Sequence, residues 1–337
     1  MKTCLIITTI NNVNKNIKKF IREAKNKKWD FIVIGDKKTP VNFKINYGKF
    51  YSLFAQKKLN LSFAKVCPSN SYARKNIGYL LAIQNKNEII VETDDDNFPY
   101  DNFFHNKTLF HKAKKILNQT WVNIYDLFLS KKTSNLIWPR GLPLSHIHSH
   151  KIKLGKAVLE KFYLQQGVCE NNPDVDAIYR LSNKTININF KKNIKFNLGN
   201  SVNTFNSQNT IWFKKIFPLL YLPVTCTMRC TDIWRSLVAL KILYNDSVKI
   251  LYFGTTMTQK RNQHNLMQDF EQEVPMYLNN KKIFLVLSKL SLKKGEKNYL
   301  INLLKCYKAL VEKKFISRKE LKYLNLWIKD IKHLSKD

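Results

Sequence analysis

Short apolar runs alternate with amphipathic segments over the first hundred residues of the chain. Residues 4–10 and 31–34 are β-branched apolar runs, which predict two buried strands. Between them, apolar residues recur at helical spacing over 13–24, and a second helical pattern over 73–81 follows the stop and capping signals of Pro-Ser-Asn at 68–70. A third apolar run, 89–91, completes a strand-helix-strand-helix-strand order. This order predicts an α/β protein with an open, mixed but mostly parallel sheet flanked by helices.

Three consecutive carboxylates, Asp94, Asp95 and Asp96, follow the third strand. Neighbouring carboxylates repel one another, and burying one without a partner is costly, so they need a counter-charge. Mg²⁺ or Mn²⁺ is the expected one, because these ions prefer hard oxygen ligands and substrate phosphates. A solvated acidic turn is the alternative. We expect Asp94 and Asp96 to bind the metal, and Asp94 and Asp95 to contact the nucleotide. The register of the triplet is ambiguous. His264 could complete the metal shell.

Two other strand ends should meet the triplet, because ligands of parallel sheets bind at the carboxyl ends of the strands. Thr8 and Thr9 end the first strand, while Asp36 and Lys37 follow the second. We expect these four residues to contact a nucleotide, with Asp36 at the nucleoside.

The amino end of the second helix should reach the same edge of the sheet. Arg74 and Lys75 lie in its first turn, where cations oppose the helix dipole and a diphosphate is readily bound. A solvated basic face is the alternative. The position in the first turn favours contact with a diphosphate.

Candidate residues for the second substrate lie farther along the chain. Asp232 lies beside Trp234 and Arg235 and could act as a general base for an acceptor hydroxyl. The alternative is that Asp232 caps a helix, and the two interpretations are nearly even. Asp174 and Asp176 form a second acidic pair that could bind sugar hydroxyls or the acceptor, and Trp234 and Arg235 are further candidates for this contact.

Composition narrows the classes of partner. The chain has 337 residues, 44% of them hydrophobic, and a formal net charge of +34, which suits nucleic acids, anionic membranes or phosphorylated ligands. The lysines are scattered among many asparagines and isoleucines, as codon bias produces, and no aromatic and basic RNA motif occurs, so no specific nucleic acid is expected. Six cysteines without a paired framework indicate reduced thiols and a cytoplasmic protein.

The last part of the chain is lysine-rich and helical in pattern. Ser-Arg-Lys-Glu at 317–320 has the form of a capping box, and an apolar stripe follows over 321–331. The stripe could lie on an anionic membrane as a peripheral contact at its inner face, but packing against the rest of the protein is the commoner fate. We therefore expect a catalytic domain over 1–275 and a helical region over 276–337.

These features suit sugar transfer from a nucleotide-sugar to a hydroxyl group. Such a reaction needs a nucleotide pocket, a metal that stabilises the departing diphosphate and a group that handles the acceptor. A nucleotidyltransferase, which attacks phosphorus on a related sheet, is the nearest alternative. A basic nucleic-acid-binding protein with structural carboxylates is the alternative from another class.

Several stretches resemble the STELLO-like glycosyltransferases. They lie in order within about 1–275 and comprise 33–40 (VIGDKKTP), 70–79 (NSYARKNIGY), 92–97 (ETDDDN), 138–141 (WPRG), 173–181 (PDVDAIYRL) and 228–235 (MRCTDIWR). The resemblance implies a GT-A-like fold whose Asp triplet is the metal-binding DxD element, and it adds Arg229 to the acceptor residues. A nucleotide-sugar donor, first of all a UDP-sugar, and a carbohydrate acceptor are the expected partners. The compact form suggests a bacterial version that serves surface-polysaccharide synthesis.

Overall fold

The computed structural model describes residues 1–130, 136–148, 151–183, 186–262 and 265–335. Its strands lie mainly in one sheet. They are β1 (Thr3–Thr9), β2 (Asp30–Gly35), β3 (Lys49–Tyr51), β4 (Ile89–Thr93), β5 (Asn97–Pro99), β6 (Phe110–Ile116), β7 (Leu154–Gly167), β8 (Lys195–Asn197), β9 (Asn209–Phe213), β10 (Lys249–Phe253) and β11 (Met257–Gln259).

Helices cover the sheet and form the end of the chain. They are α1 (Lys15–Asn26), α2 (Leu53–Lys57), α3 (Ser62–Val66), α4 (Lys75–Gln84), α5 (Tyr125–Phe128), α6 (Ala177–Ser182), α7 (Thr231–Asn245), α8 (Leu266–Ser288), α9 (Tyr299–Glu312) and α10 (Glu320–Leu334). Short 3₁₀ turns connect several of them, including one over Tyr72–Arg74 that leads directly into α4. No described helix combines the length and the apolarity that crossing a membrane requires.

Nine of the described strands form one sheet in the order β10-β8-β6-β7-β9-β4-β1-β2-β3. The strands β3, β2, β1 and β4 are parallel, whereas β9 runs antiparallel to both β4 and β7. Strand β10 pairs with β7 as well as with β8, so β6, β7, β8 and β10 form a closed ring of pairings. Strands β5 and β11 form a separate antiparallel pair.

The mixed α/β class is therefore confirmed. The nine-stranded sheet has five parallel and four antiparallel pairings, but it is not open throughout, because β6, β7, β8 and β10 close into a ring. The parallel strands β1, β2 and β4 are buried on both faces and appear in the sequence as continuous apolar runs. Strands β6 and the first half of β7 alternate between exposed and less exposed residues, because antiparallel strands can leave one face in water. The GT-A assignment stays a prediction.

The C-terminal helices pack against the same core as the sheet. Leu324, Trp327 and Ile331 are buried, and the ring of Trp327 lies 6.4 Å from that of Phe63 and 5.8 Å from that of Tyr221. The apolar stripe of α10 is thus used for packing within the protein. Helix α8 runs continuously through the predicted boundary at 275/276, and the division into two domains stays a prediction.

The predicted capping box at the start of α10 is wrong. The side chain of Glu320 does not return to Ser317 but is fully buried and accepts hydrogen bonds from the backbone of Val224 and Thr225. The Tyr221 hydroxyl also donates to Glu320. Unpaired donors of a distant loop compete successfully for this carboxylate, because inside the protein they have no water to bind.

Candidate active site

A cleft with a volume of about 260 Å³ opens at the carboxyl ends of β1, β2 and β4. The predicted site residues on its lining are Thr8, Thr9, Asp36, Arg74, Asp94, Asp95, Asp96, Arg229 and Asp232. Residues from the last third of the chain, among them Gln259 and Arg261, complete the lining. The topology thus brings together most of the nucleotide and metal residues that the sequence predicts.

Asp94 is held by the buried cation of Lys75. The Lys75 ammonium lies 2.8 Å from Asp94 Oδ1 and also donates to the Thr93 carbonyl at 2.9 Å. The Tyr72 hydroxyl donates to the same Asp94 oxygen at 2.8 Å. Lys75 is fully buried and does not line the cleft, so its charge reaches a ligand only through Asp94.

Asp95 is oriented by the end of β1. Its Oδ2 accepts hydrogen bonds from the Thr9 hydroxyl at 2.5 Å and from the Asn11 amide at 2.9 Å, and burial raises its pKa. The Asn14 and Asn16 side chains donate to the Asp95 carbonyl. Asp95 therefore connects the first strand end to the acidic turn.

Asp96 has the least satisfied carboxylate of the triplet. Its Oδ2 accepts a hydrogen bond of 2.7 Å from the Gln259 amide, whereas its buried Oδ1 has no hydrogen-bond partner. Burial, and then the neighbouring charge of Asp94, raise the pKa of Asp96 to about 7. A buried oxygen of this kind is costly unless a cation or a donor reaches it.

The donor set fits a hard divalent cation that shares its ligands with a substrate. Within the described residues, no three acidic, histidine or cysteine side chains are grouped so that they could hold a metal ion by themselves. Mg²⁺ commonly uses only one or two carboxylates and takes further ligands from phosphates and water. Asp94 and Asp96 line the cleft and supply such oxygens. His264 lies outside the described residues.

Asp36 and Arg74 are occupied in building the cleft. The carboxylate of Asp36 accepts backbone hydrogen bonds from Asn70 at 2.9 Å and from Ser71 at 3.0 Å, which anchors the turn before α4. The Arg74 guanidinium is buried and donates to the Gln56 side chain and to the carbonyls of Cys67 and Pro68. The structure thus directs Arg74 into the protein and not toward a diphosphate in the cleft.

Lys37 also lies off the cleft lining. Its side chain is exposed, and its backbone N–H donates to Asp36 at 2.7 Å. The second strand end therefore contributes Asp36 but not the following lysine.

Arg140 joins two of the predicted acceptor carboxylates. Its guanidinium makes two hydrogen bonds of 2.8 Å to Asp174 and two of 3.1 Å to Asp232. Burial alone would raise the pKa of Asp174, but the charge and hydrogen bonds of Arg140 lower it well below its usual range. Asp232 lines the cleft and Asp174 does not. Cys230 is the N-cap of α7, and Asp232 lies within the first turn, so Asp232 does not cap that helix.

Three other predicted acceptor residues lie away from the cleft lining. Asp176 is the N-cap of α6 and accepts hydrogen bonds from the Tyr179 N–H and the Trp138 indole. Trp234 is buried and donates to Asn280 at 2.9 Å. Arg235 is buried against Glu92 in β4, with contacts of 2.9 and 3.1 Å. Their surroundings give these side chains roles in packing and hydrogen bonding inside the protein.

Two arginines, Arg229 and Arg261, also line the cleft. Arg229 contacts Glu273 at 2.7 Å, and Arg261 contacts Asp269 at 2.5 Å. Burial, followed by repulsion from Arg229, lowers the pKa of Arg261. Cations that are held close enough to repel one another favour the binding of an anion between them.

Sequence reasoning missed Tyr72, Arg140, Gln259 and Arg261 on the lining of this cleft. Arg140 and Tyr72 lie within stretches that carry the family resemblance, but neither was assigned a role. Gln259 and Arg261 precede His264 in a polar run, which was the available signal. Their position follows from β11, because the Lys260 backbone donates to the Asp96 carbonyl at 3.1 Å.

Known proteins resemble this chain in sequence. A family model described as STELLO glycosyltransferases matches residues 229–337, which include Asp232 and the C-terminal helices. The chain is similar to that family over this segment. It is 25% identical over 330 residues to "Probable glycosyltransferase STELLO2" of Arabidopsis thaliana, an alignment that covers 91% of this chain and 42% of the relative. It is 26% identical over 324 residues to "Probable glycosyltransferase STELLO1" of the same plant, with 90% and 41% covered.

The STELLO-like chain therefore spans about two fifths of the length of these curated relatives. The resemblance that the sequence motifs indicate is confirmed, and it extends beyond the expected limit near residue 275. The family model and both relatives are described as glycosyltransferases.

Proposed function

We propose that the protein is a metal-dependent glycosyltransferase with a GT-A-like catalytic fold, which transfers a sugar from a nucleotide-sugar to a hydroxyl acceptor. The observation that carries the proposal is the acidic turn after β4, whose Asp96 presents a buried oxygen without a partner beside the cleft. The similarity to STELLO glycosyltransferases supports the reaction class. We propose a UDP-sugar as donor and a glycan or another hydroxyl compound as acceptor, in a cytoplasmic protein that serves polysaccharide synthesis.

Asp94 and Asp96 would hold Mn²⁺ or Mg²⁺ together with phosphate oxygens of the donor. When bound, the metal supplies positive charge that stabilises the departing diphosphate. Lys75 and Tyr72 keep Asp94 in position, and Gln259 does the same for Asp96. These contacts organise the two carboxylates before a ligand arrives, which lowers the cost of binding.

Arg229 and Arg261 are the proposed diphosphate contacts of the STELLO-like chain. Both arginines line the cleft, whereas Arg74 and Lys75 use their charges inside the protein. Glu273 and Asp269 each hold one arginine by a short ion pair. Phosphate is well matched to guanidinium groups held in this way, because each presents several donors in one plane.

Asp232 is the proposed general base for the acceptor hydroxyl. It borders the cleft, and Arg140 and Ser207 hold its carboxylate from the protein side. Because Arg140 also binds Asp174, the orientation of Asp232 depends on both partners. A carboxylate within reach of the attacking hydroxyl can accept its proton as the new bond forms.

The test combines ligand binding with a matched pair of variants. Melting temperatures are measured with UDP, GDP, CDP and CMP, each with and without Mn²⁺, for the wild type, Asp96→Asn and Asp101→Asn. Asp101 is a suitable control because its side chain is 93% exposed near the same turn. Ligand at a hundredfold excess over its dissociation constant stabilises the native state by about 2.7 kcal/mol.

We expect one nucleoside diphosphate to raise the melting temperature of the wild type and of Asp101→Asn only when Mn²⁺ is present. Asp96→Asn should lose this response and sugar transfer, while its melting temperature without ligand is not lowered, since Asp96 Oδ1 has no hydrogen bond to lose. Metal-dependent binding and full transfer by Asp96→Asn would contradict the metal assignment. Absence of any nucleotide response in the wild type would contradict the proposed function.

A further inference from the structure

One face of the sheet at β6 and β7 presents apolar and basic side chains to the solvent. Opposite residues in this antiparallel pair share a face, and they are Phe110 with Lys161, Lys112 with Leu159 and Lys114 with Ala157. We call Phe110, Lys112, Lys114, Leu159 and Lys161 the β6–β7 face. Phe110 is 55% exposed and Leu159 66% exposed, and the three lysines are exposed as well.

The apolar character continues beyond these five residues. Leu117 and Leu154 are 50% and 39% exposed at the far end of the two strands. Large apolar side chains that are exposed singly need no explanation, but a cluster on two neighbouring strands marks an interaction surface.

The charge around the cluster has one sign. Residues 105–117 contain no acidic residue, and 153–163 contain only Glu160. Glu160 lies on the opposite face of the strand, where it accepts a hydrogen bond from Asn197 and pairs with Lys249. Exposed lysines at 115, 153 and 156 extend the positive region around the β6–β7 face.

We propose that the β6–β7 face binds an anionic lipid bilayer. Lysines attract acidic headgroups, and Phe110 and Leu159 between them can enter the boundary between headgroups and acyl chains. A second copy of the chain is disfavoured because two such faces would place lysines against lysines. A nucleic acid would use the lysines but leaves the aliphatic Leu159 without a role.

This surface differs from the stripe on α10 that the sequence suggested for a membrane. Leu324, Trp327 and Ile331 of that stripe are buried in the core. The proposal does not depend on the enzymatic reaction and can be tested without any sugar donor.

The experiment is co-sedimentation of the full chain with vesicles of phosphatidylcholine alone or with added phosphatidylglycerol. Lys112→Gln/Lys114→Gln/Lys161→Gln removes the charge of the face. Lys322→Gln/Lys329→Gln/Lys332→Gln is the matched control, because these three lysines are equally exposed on α10. The wild type should bind only the anionic vesicles, and loss of the three face charges should weaken binding about 100-fold, while the control variant binds like the wild type.

A second pair of variants tests the apolar contribution. Phe110→Ser/Leu159→Ser should bind at low salt but dissociate when salt is added, because only screened attraction remains. Phe54→Ser/Leu278→Ser, at residues that are 68% and 61% exposed elsewhere, should retain the salt resistance of the wild type.

Four results would overturn the proposal. They are equal binding to neutral vesicles, wild-type binding by the face variant, loss of binding in the α10 control, and a wild-type dimer that the face variants disrupt. RNA or DNA binding that is lost with the face lysines, in a protein that ignores vesicles, would assign the face to nucleic acid.

Discussion

The buried carboxylate of Glu320 should be a major contributor to stability. It accepts hydrogen bonds from the Val224 N–H at 2.9 Å, the Thr225 N–H at 2.7 Å and the Thr225 hydroxyl at 2.6 Å, and also from Tyr221. Glu320→Ala leaves these donors buried without an acceptor, at about 1–3 kcal/mol for each one. Water that enters the space recovers part of this cost, so we expect a loss of about 4 kcal/mol in the free energy of unfolding.

The measurement is urea unfolding followed by circular dichroism, with the free energy extrapolated to zero urea. Glu312→Ala is the control, because Glu312 is exposed on α9, and it should change the free energy by less than about 0.5 kcal/mol. Glu320→Gln keeps one acceptor oxygen and should lose about half as much as Glu320→Ala. A loss below about 1 kcal/mol in Glu320→Ala would refute the reasoning, since it would mean that the donors find other partners at no cost.

Three further outcomes follow from the buried charges. Arg235→Met should lower the free energy of unfolding by about 3–5 kcal/mol, because the Glu92 carboxylate stays buried without its partner. The double variant Arg235→Met/Glu92→Gln should regain much of the lost stability, as measured by urea unfolding. Burial raises the pKa of Asp176 to about 6, so the folded state binds this proton more tightly than the unfolded state. The free energy of unfolding should therefore fall as pH rises from about 4 to about 6. Asp176→Asn should flatten that part of the plot of unfolding free energy against pH. Arg261→Gln should weaken the binding of UDP at least tenfold, as measured by calorimetry, but should change the binding of uridine little. An equal effect on both ligands would contradict the role of Arg261 as a diphosphate contact.

The parts of the fold that could be predicted are those where burial on both faces leaves a local trace. Strands β1, β2 and β4 are short, continuous apolar runs, and α1 presents a clear apolar face, so each appears in the sequence. Strand β7 begins with alternating exposure and ends fully buried, which follows neither simple pattern. Its place in the sheet depends on three partner strands, β6, β9 and β10, from different regions of the chain.

The residues of the candidate site likewise fall into those that local sequence predicts and those that depend on distant parts of the chain. The end of a buried strand was enough to predict that Asp94, Asp95 and Asp96 face the cleft. The direction of Arg74 could not be predicted, because its acceptors are a glutamine and two carbonyls whose positions depend on the turn before α4. Arg261 was missed for a related reason, since only the pairing of β11 with β5 brings it to the triplet.

The closed ring of β6, β7, β8 and β10 has a consequence for the behaviour of the protein at high concentration. A strand with unpaired backbone groups offers a template on which another chain can add, and closure removes that template from one end of the sheet. At the other end of the nine described strands, the outermost one is β3, which has three residues and begins with an exposed lysine. A short, charged outer strand discourages the addition of another strand. The Ile- and Val-rich centre of the sheet is thereby kept from seeding ordered aggregates, even in a chain with so many β-branched residues.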